Sequence, residues 1–193
     1  MKLEPAVLDG VRVRLVPLAR EHAAGIYEAA KAEEIWAYMP YAIDSPAMAE
    51  HFVEETLKRV EQGVDLAFVV IDKETEQIIG STRYLDISLP NMGLEIGWTW
   101  YHPSVWRSRV NTECKYLLLR HAFETLNFLR VQIKTDNRNV RSQNAIARLG
   151  AVREGVLRNH MVLKSGYVRD TVFFSVIDRE WPEVKAKLEA FLN

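Results

Sequence analysis

Apolar and polar positions alternate through VRVRLVPL from Val11, the two-residue period of a strand with one buried face. The next stretch, REHAAGIYEAAK, changes to helical spacing. The aromatic EIWAYMPYAI, interrupted by Pro40, reads as a loop or short helices. In DSPAMAEHFVEETLKRVEQG, Ser45 is placed as an N-cap, Pro46 at the first helical position and Gly63 just past the end, so a helix is predicted between them. DLAFVVID and QIIGSTRYLDI are β-rich runs joined by the polar KETE, which predicts a hairpin, and GLEIGWTWYHP continues the sheet until Pro103. NTECKYLLLRHAFETLN gives the clearest helix, with Cys114, Leu117, Leu118, His121, Ala122 and Leu126 at helical spacing. LRVQIKTD reads as a strand, NVRSQNAIARLG as a short helix ended by Gly150, EGVLRNHMVL and VRDTVFFSVID as a strand pair, and EWPEVKAKLEAFLN as a last helix. This order predicts a mixed α/β (α+β) fold with a mostly antiparallel sheet, and no repeat, low-complexity tract or linker divides residues 1–193.

Composition suits one domain with a sizeable core: 193 residues, 48% hydrophobic and 26% charged. No apolar run reaches the ~18 residues of a membrane-spanning helix, so no membrane partner is expected. MKLEPAVLDG lacks the basic start and apolar stretch of a signal peptide, and Cys114 is the single cysteine, which points to a reducing cytoplasm. The net charge of −1 hides an asymmetry, because residues 130–169 hold nine basic side chains (seven Arg, two Lys) against two acidic ones. Such a segment is either a solvated face or a surface for an anionic ligand.

Several chemistries lose support. The five histidines form no HExxH or Cys/His pairing, so no metal is expected; GxxxxGK[ST], a GxGxxG after a strand and GxSxG are also missing. What remains is WRSRVNTECKYLLLRHAFE, residues 106–124, a glycine-free loop that feeds a helix. First-turn N–H groups at Asn111, Thr112 and Glu113, with the positive end of the helix dipole, can hold an anion. Arg107 and Arg109 add charges suited to phosphate oxygens. Asn111 or Thr112 acting as an ordinary cap explains the same residues equally well.

Element order, with EIGWTWYHPS before this loop and NRNVRSQNAIARLGAVREGVLRNH after it, resembles the GNAT family of acetyl-CoA-dependent N-acetyltransferases. More narrowly it resembles the branch typified by the RimJ and RimL protein N-terminal acetyltransferases. The resemblance runs from VRLVPL to DREW. Its most specific part is Asn139-x-x-Ser142 followed by Leu149-Gly150, Glu154-Gly155-x-x-Arg158 and Gly166-x-x-Arg169-Asp170. It implies a single GNAT domain over residues 1–193, with a twisted sheet of about seven strands, helices on both faces and a splayed central strand pair. It also implies acetyl-CoA as cosubstrate, no metal, an amine acceptor such as a ribosomal protein N-terminus, and a homodimer as a frequent assembly.

In that family the loop reads Q/R-x-x-G-x-G/A, and its amides wrap the coenzyme A pyrophosphate. Here Trp106-Arg107-Ser108-Arg109-Val110-Asn111 departs at all three signature positions. The resemblance therefore implies a pyrophosphate site over Arg107, Ser108, Arg109, Val110, Asn111 and Thr112 in which arginine charge partly replaces glycine geometry. It further implies a pantetheine arm paired with the backbone of Thr99, Trp100 and Tyr101, and cofactor-side donors at Asn139 and Asn144. Glu95 is the candidate base, with an ion-paired strand carboxylate as the other reading, and Ser142 the candidate proton donor to the leaving thiolate, with a helix cap as the other. Many members carry a tyrosine where this chain has Ile146, and the glutamate reported as base in the RimL type falls near Met161, so the base is Glu95 or the enzyme relies on positioning.

Trp36, Tyr38, Met39, Tyr41, Tyr84, Trp98 and Trp100 are candidates for the acceptor pocket or for the core; Pro40 places the 36–41 group in a loop, where binding residues concentrate. Cys114 lies in the first turns of its helix and is expected to be a buried structural thiol. The preferred function is transfer of an acetyl group to a primary amine, a protein N-terminal α-amino group first, by direct attack on the thioester. Alternatives are a small-molecule amine as acceptor, a noncatalytic acyl-CoA binder, or a nucleic-acid module using residues 130–169, for which no RRM, KH or helix-turn-helix signature speaks.

Overall fold

The computed structural model describes residues 3–163 and 165–193. Its strands are β1 (Leu8–Asp9), β2 (Val13–Pro17), β3 (Leu66–Asp72), β4 (Gln77–Ser88), β5 (Gly93–Tyr101), β6 (Arg130–Asp136), β7 (Val152–Val162) and β8 (Val168–Ile177). Its helices are α1 (Ala23–Ala30), α2 (Pro46–Glu61), α3 (Val110–Arg120), α4 (Val140–Arg148) and α5 (Trp181–Leu192). Among the described residues one eight-stranded sheet forms in the order β1-β2-β3-β4-β5-β6-β8-β7, antiparallel except between β5 and β6. The strand beyond the seven expected is the two-residue β1, which pairs Leu8 with Leu15.

Local chemistry explains the boundaries. Ser45 Oγ accepts from the Met48 amide at 3.2 Å and Pro46 opens α2. The KETE turn closes with the Asp72 carboxylate accepting from Glu74 N and Glu76 in the left-handed region, joining β3 to β4 as a hairpin. The predicted helix through Asn127 is α3 only to Arg120, after which His121–Thr125 widens into a π-helical turn. That turn keeps His121, Ala122 and Phe123 buried and lets Phe128 N reach the Ala122 carbonyl.

Strand alternation sorts side chains to the two faces. On one face α3, α4 and α5 bring Leu117, Leu118, Ile146, Leu149 and Trp181 against Leu94, Ile96, Val131, Ile133, Val172 and Phe174. On the other, α1 and α2 bring Ile26, Ala29, Phe52 and Val53 against Ala67, Val69 and Trp100. No helix among the described residues is long and apolar enough to cross a membrane.

The functional geometry begins between β5 and β6. They pair at Gly93–Arg130, Leu94–Val131 and Glu95–Gln132, and no further pairs follow. On its other edge β5 stays with β4, yet between the Ser81–Trp100 and Arg83–Gly97 pairs it holds one residue more than β4, a bulge with Trp98 at φ 49°. A bulge bends its strand and re-aims its side chains. It lies just beyond the last pair with β6, where the two strands part.

Two aromatic expectations are corrected by packing. Tyr84 is a fully buried core residue; its hydroxyl donates to the Leu118 carbonyl at 2.6 Å and its ring lies edge-on to Phe68 and stacked beside His121. Trp36 turns its indole N–H to the Ala30 carbonyl at 2.9 Å and packs on Trp100. In the loop, Val110 and Thr112 bury their side chains, so only their backbone groups can meet a ligand. Tyr84→Phe is expected to lower unfolding stability by about 1 kcal/mol, the worth of one buried hydrogen bond, and to leave acetyl-CoA affinity unchanged; chemical denaturation alongside calorimetric titration checks both.

Candidate functional site

The gap between β5 and β6 opens into a cleft of about 1010 Å³, bounded by α3, the start of α4, the 34–41 segment and β8. That is large for a single small-ligand pocket and leaves room for two reactants. Of the acceptor candidates, Tyr38, Met39, Tyr41, Trp98 and Trp100 line it, and Trp36 and Tyr84 do not.

Glu95 sits at the last paired position before the strands part and is only 2% exposed. Gln132 Nε2 donates to its Oε2 at 2.8 Å and Lys134 Nζ lies 3.0 Å from the same oxygen. Both partners share Oε2, which leaves Oε1 turned to the space beside Gly97, where an added Cβ would come within 3.0 Å of it. A side chain at Gly97 would crowd both Oε1 and Leu85, whose Cδ2 would lie 2.8 Å from the same Cβ. Burial pushes the Glu95 carboxyl above its ordinary range, and the attraction of Lys134 and the Gln132 hydrogen bond offset only part of this. The two sequence readings of Glu95 coincide: it is ion-paired, and it lines the cleft.

At the other end of the cleft the loop places Arg107, Ser108, Arg109 and Asn111 on the wall. Left-handed backbone falls on Arg107, at φ 60°, and not on Arg109 or Asn111 where the glycines were expected; Arg109 is ordinary α at φ −73°. Ser108 Oγ accepts from Val110 N and Glu113 N reaches the Arg109 carbonyl, so Asn111 and Thr112 hold the remaining first-turn donors. Trp106, at the first signature position, donates from Nε1 to the Tyr101 carbonyl at 2.8 Å and carries the Arg141 guanidinium over its ring at 4.3 Å. That bond occupies the Tyr101 carbonyl, and Trp100 is paired with Ser81 of β4, so Thr99 is the residue without a strand partner in the backbone stretch assigned to a pantetheine arm. Arg109 donates to the Leu192 carbonyl at 2.6 Å, which fixes its guanidinium beside the cleft.

Asn139, and not Ser142, caps α4: its Oδ1 accepts from Ser142 N at 3.0 Å. The Ser142 hydroxyl is therefore not consumed in capping, and Ser142 and Asn144 both line the cleft from the first turns of α4.

Four charged residues to which the sequence assigned no site role are also in the wall. Lys115 is buried, donates to Thr99 Oγ1 at 2.7 Å, and is lowered to about 8 by desolvation. Arg83 is buried between Phe52 and Trp98, paired with Asp65 at 3.1 Å and donating to Thr56 at 3.0 Å. Lys134 and Arg169 complete the set. A charged residue beside core positions reads as surface in a sequence, and only the divergence of two strands makes a buried wall of it. Cys114 is fully buried, its thiol pushed to about 12 by desolvation, so it is a structural thiol. Among the described residues no group of three or more His, Cys, Asp or Glu side chains is placed to hold a metal.

Comparison with known proteins identifies the fold and the family. The family described as an acetyltransferase (GNAT) domain matches residues 12–152. A GCN5-related N-acetyltransferase from Brucella melitensis superposes with a TM-score of 0.92 at 30% identity, covering 100% of this chain and 88% of that one. An acetyltransferase structure from T. thermophilus gives 0.89 at 37% identity and covers all of both chains. Mycobacterium smegmatis RimJ, in complex with CoA-disulfide, shares the fold with a TM-score of 0.81 at 20% identity, covering 97% and 92%. The uncharacterized N-acetyltransferase p20 of Bacillus licheniformis is 30% identical over 114 residues, a match spanning 59% of this chain and 63% of that relative's length.

Removing the cation beside Glu95 takes away the attraction that favours its ionised form, so in Lys134→Met the carboxyl is expected to titrate at still higher pH. Carboxyl ¹³C NMR reads this directly, and an unchanged titration would mean that Lys134 does not tune the group.

Proposed function

We propose that this chain, which belongs to the GNAT acetyltransferase family, moves an acetyl group from acetyl-CoA to a primary amine, with a protein N-terminal α-amino group as the acceptor. The observation that carries the reading is Glu95: a buried carboxylate at the apex of the strand divergence, with one oxygen held and the other turned to open space. The finer placement in the RimJ/RimL-type branch rests on Asn139-x-x-Ser142, arranged so that the asparagine caps the helix and the serine hydroxyl is free for chemistry.

The cleft fits coenzyme A on two counts. Beyond Glu95 the β5 edge has no strand beside it for an extended arm to displace, and the first turn of α3 offers the Asn111 and Thr112 donors with Arg107, Arg109, Arg141 and Arg148 around it. Acetyl-CoA supplies the activated acetyl group. An α-amino group has a pKa of about 7.7–8.0, so only modest help is required to hold it neutral. Glu95 Oε1 takes the amine proton, and a carboxyl raised above its usual range is better matched to that task than an exposed one. Ser142 donates a hydrogen bond to the departing sulfur. Backbone N–H groups at the Trp98–Thr99 bulge, where the strand turns toward the gap, stabilise charge developing on the carbonyl oxygen. Positioning of the two reactants by the cleft walls supplies the rest.

Glu95→Gln is expected to lower kcat by ~10²-fold or more with acetyl-CoA affinity unchanged, measured by coenzyme A release and calorimetry. The wild-type rate should rise with pH as Glu95 ionises, and the variant should lose that limb. Tight acetyl-CoA binding without turnover on any peptide or small amine would instead make the chain a noncatalytic acyl-CoA binder.

A further inference from the structure

Alternation along β6 places Val131 and Ile133 toward α3 and α4, and Gln132, Lys134 and Asp136 on the opposite face. In β8, Val172 and Phe174 join the helix-covered side, so Arg169 and Thr171 lie with Lys134 and Asp136. Glu95, paired with Gln132, faces the same way. Arg169 therefore stands on the face of the base and away from α4, whose first turn faces coenzyme A in the reading above.

Arg169 is 7% exposed and lines the cleft, and its Nε is buried with no hydrogen-bond partner among the described residues. Asp136 and Glu95 attract it through space, but the hydrogen bonds they accept come from other groups. Asp136 accepts from Arg138 Nε and Nη2 and from the Arg138 amide, at 3.1, 2.8 and 2.8 Å. Glu95 is held by Gln132 and Lys134. Arg83, another buried guanidinium in the wall, also has an unbonded Nε but is ion-paired with Asp65 at 3.1 Å. A buried cation without a dedicated anion is costly, and the cost is recovered when a ligand carries the anion in. A guanidinium is suited to a carboxylate, which it can grip with two parallel N–H donors. Above it, Arg138 lies over Tyr167 at 3.5 Å and Tyr38 at 5.7 Å, so the 34–41 segment walls the same corner.

We infer that Arg169 anchors a carboxylate carried by the acceptor, so that the enzyme acts on amines with an acidic group near the nitrogen. The inference rests on the acetyl-transfer reading of the same cleft. The carboxylate is that of a free amino acid or an acidic side chain close to a peptide's N-terminus.

The test uses coenzyme A-loaded protein and reads binding and turnover separately. Pools of the twenty N-acetyl amino acids are compared with their C-terminal amides by thermal shift. Acetyl-CoA consumption is compared for free amino acids against amino-acid amides, and for Ala-Asp-Ala-amide against Ala-Asn-Ala-amide. The carboxylate form should be preferred about ten- to hundredfold in at least one pair, and the preferred pair identifies the source. Arg169→Met should abolish that preference through KM, with Arg169→Lys retaining part of it. Equal response of the wild-type protein to carboxylate and amide members of every pair overturns the inference, whether or not turnover is seen. A retained carboxylate preference in binding with no turnover on any amine supports the anion site and faults the acetyl-transfer reading instead.

Discussion

β5 and β6 share three residue pairs and then part, and the rest of the molecule's chemistry depends on that separation. Parallel neighbours in a sheet covered by helices would ordinarily continue as a ladder, since unpaired backbone in a buried region is costly. Here the bulge at Trp98–Thr99 bends β5 while β6 stays registered with β8 through Asp136. The result is a gap with backbone on one wall, a helix start at its mouth and a carboxylate at its apex. Glu95 is placed by the last pair before the divergence, so sheet register itself fixes the distance between this carboxylate and the open edge.

The wall of this gap is rich in buried charge, and each charge has an identifiable arrangement. Glu95 is held on one oxygen by Gln132 and Lys134, Arg83 by Asp65 and Thr56, and Lys115 by Thr99. Desolvation pushes each of the three toward its neutral form. Such groups do not strengthen a fold compared with apolar side chains of similar size. Their concentration along one cleft marks it as functional in a way that no single residue does. The basic 130–169 segment also divides between the two ends, with Arg141 and Arg148 toward the loop and α3 and Lys134 and Arg169 toward Glu95.

Much of the fold was legible in periodicity and punctuation: Ser45 and Pro46 start α2, the KETE hairpin joins β3 to β4, and LRVQIKTD becomes β6 within a residue. Glu95, Ser142 and the loop, all named from the sequence, line the cleft. The site was not legible where tertiary geometry decided burial. Tyr84 and Trp98 look alike in sequence, yet one packs on His121 and the other faces the cleft. Lys115 follows a core cysteine and is buried only because β5 leaves β6. The glycine-free loop misled in a particular way: the left-handed residue it requires is Arg107, outside the signature positions, and Trp106 ties the loop to Tyr101 through a side-chain bond that no spacing rule contains.

A crystal structure of the protein with coenzyme A tests the central claim most directly. The account predicts the pyrophosphate at the Asn111 and Thr112 amides, the arm at Thr99, and the sulfur in the gap on the side of Ser142, with Glu95 Oε1 open beyond it. Coenzyme A bound outside the gap, or β5 and β6 closing into a continuous ladder with ligand present, would contradict it.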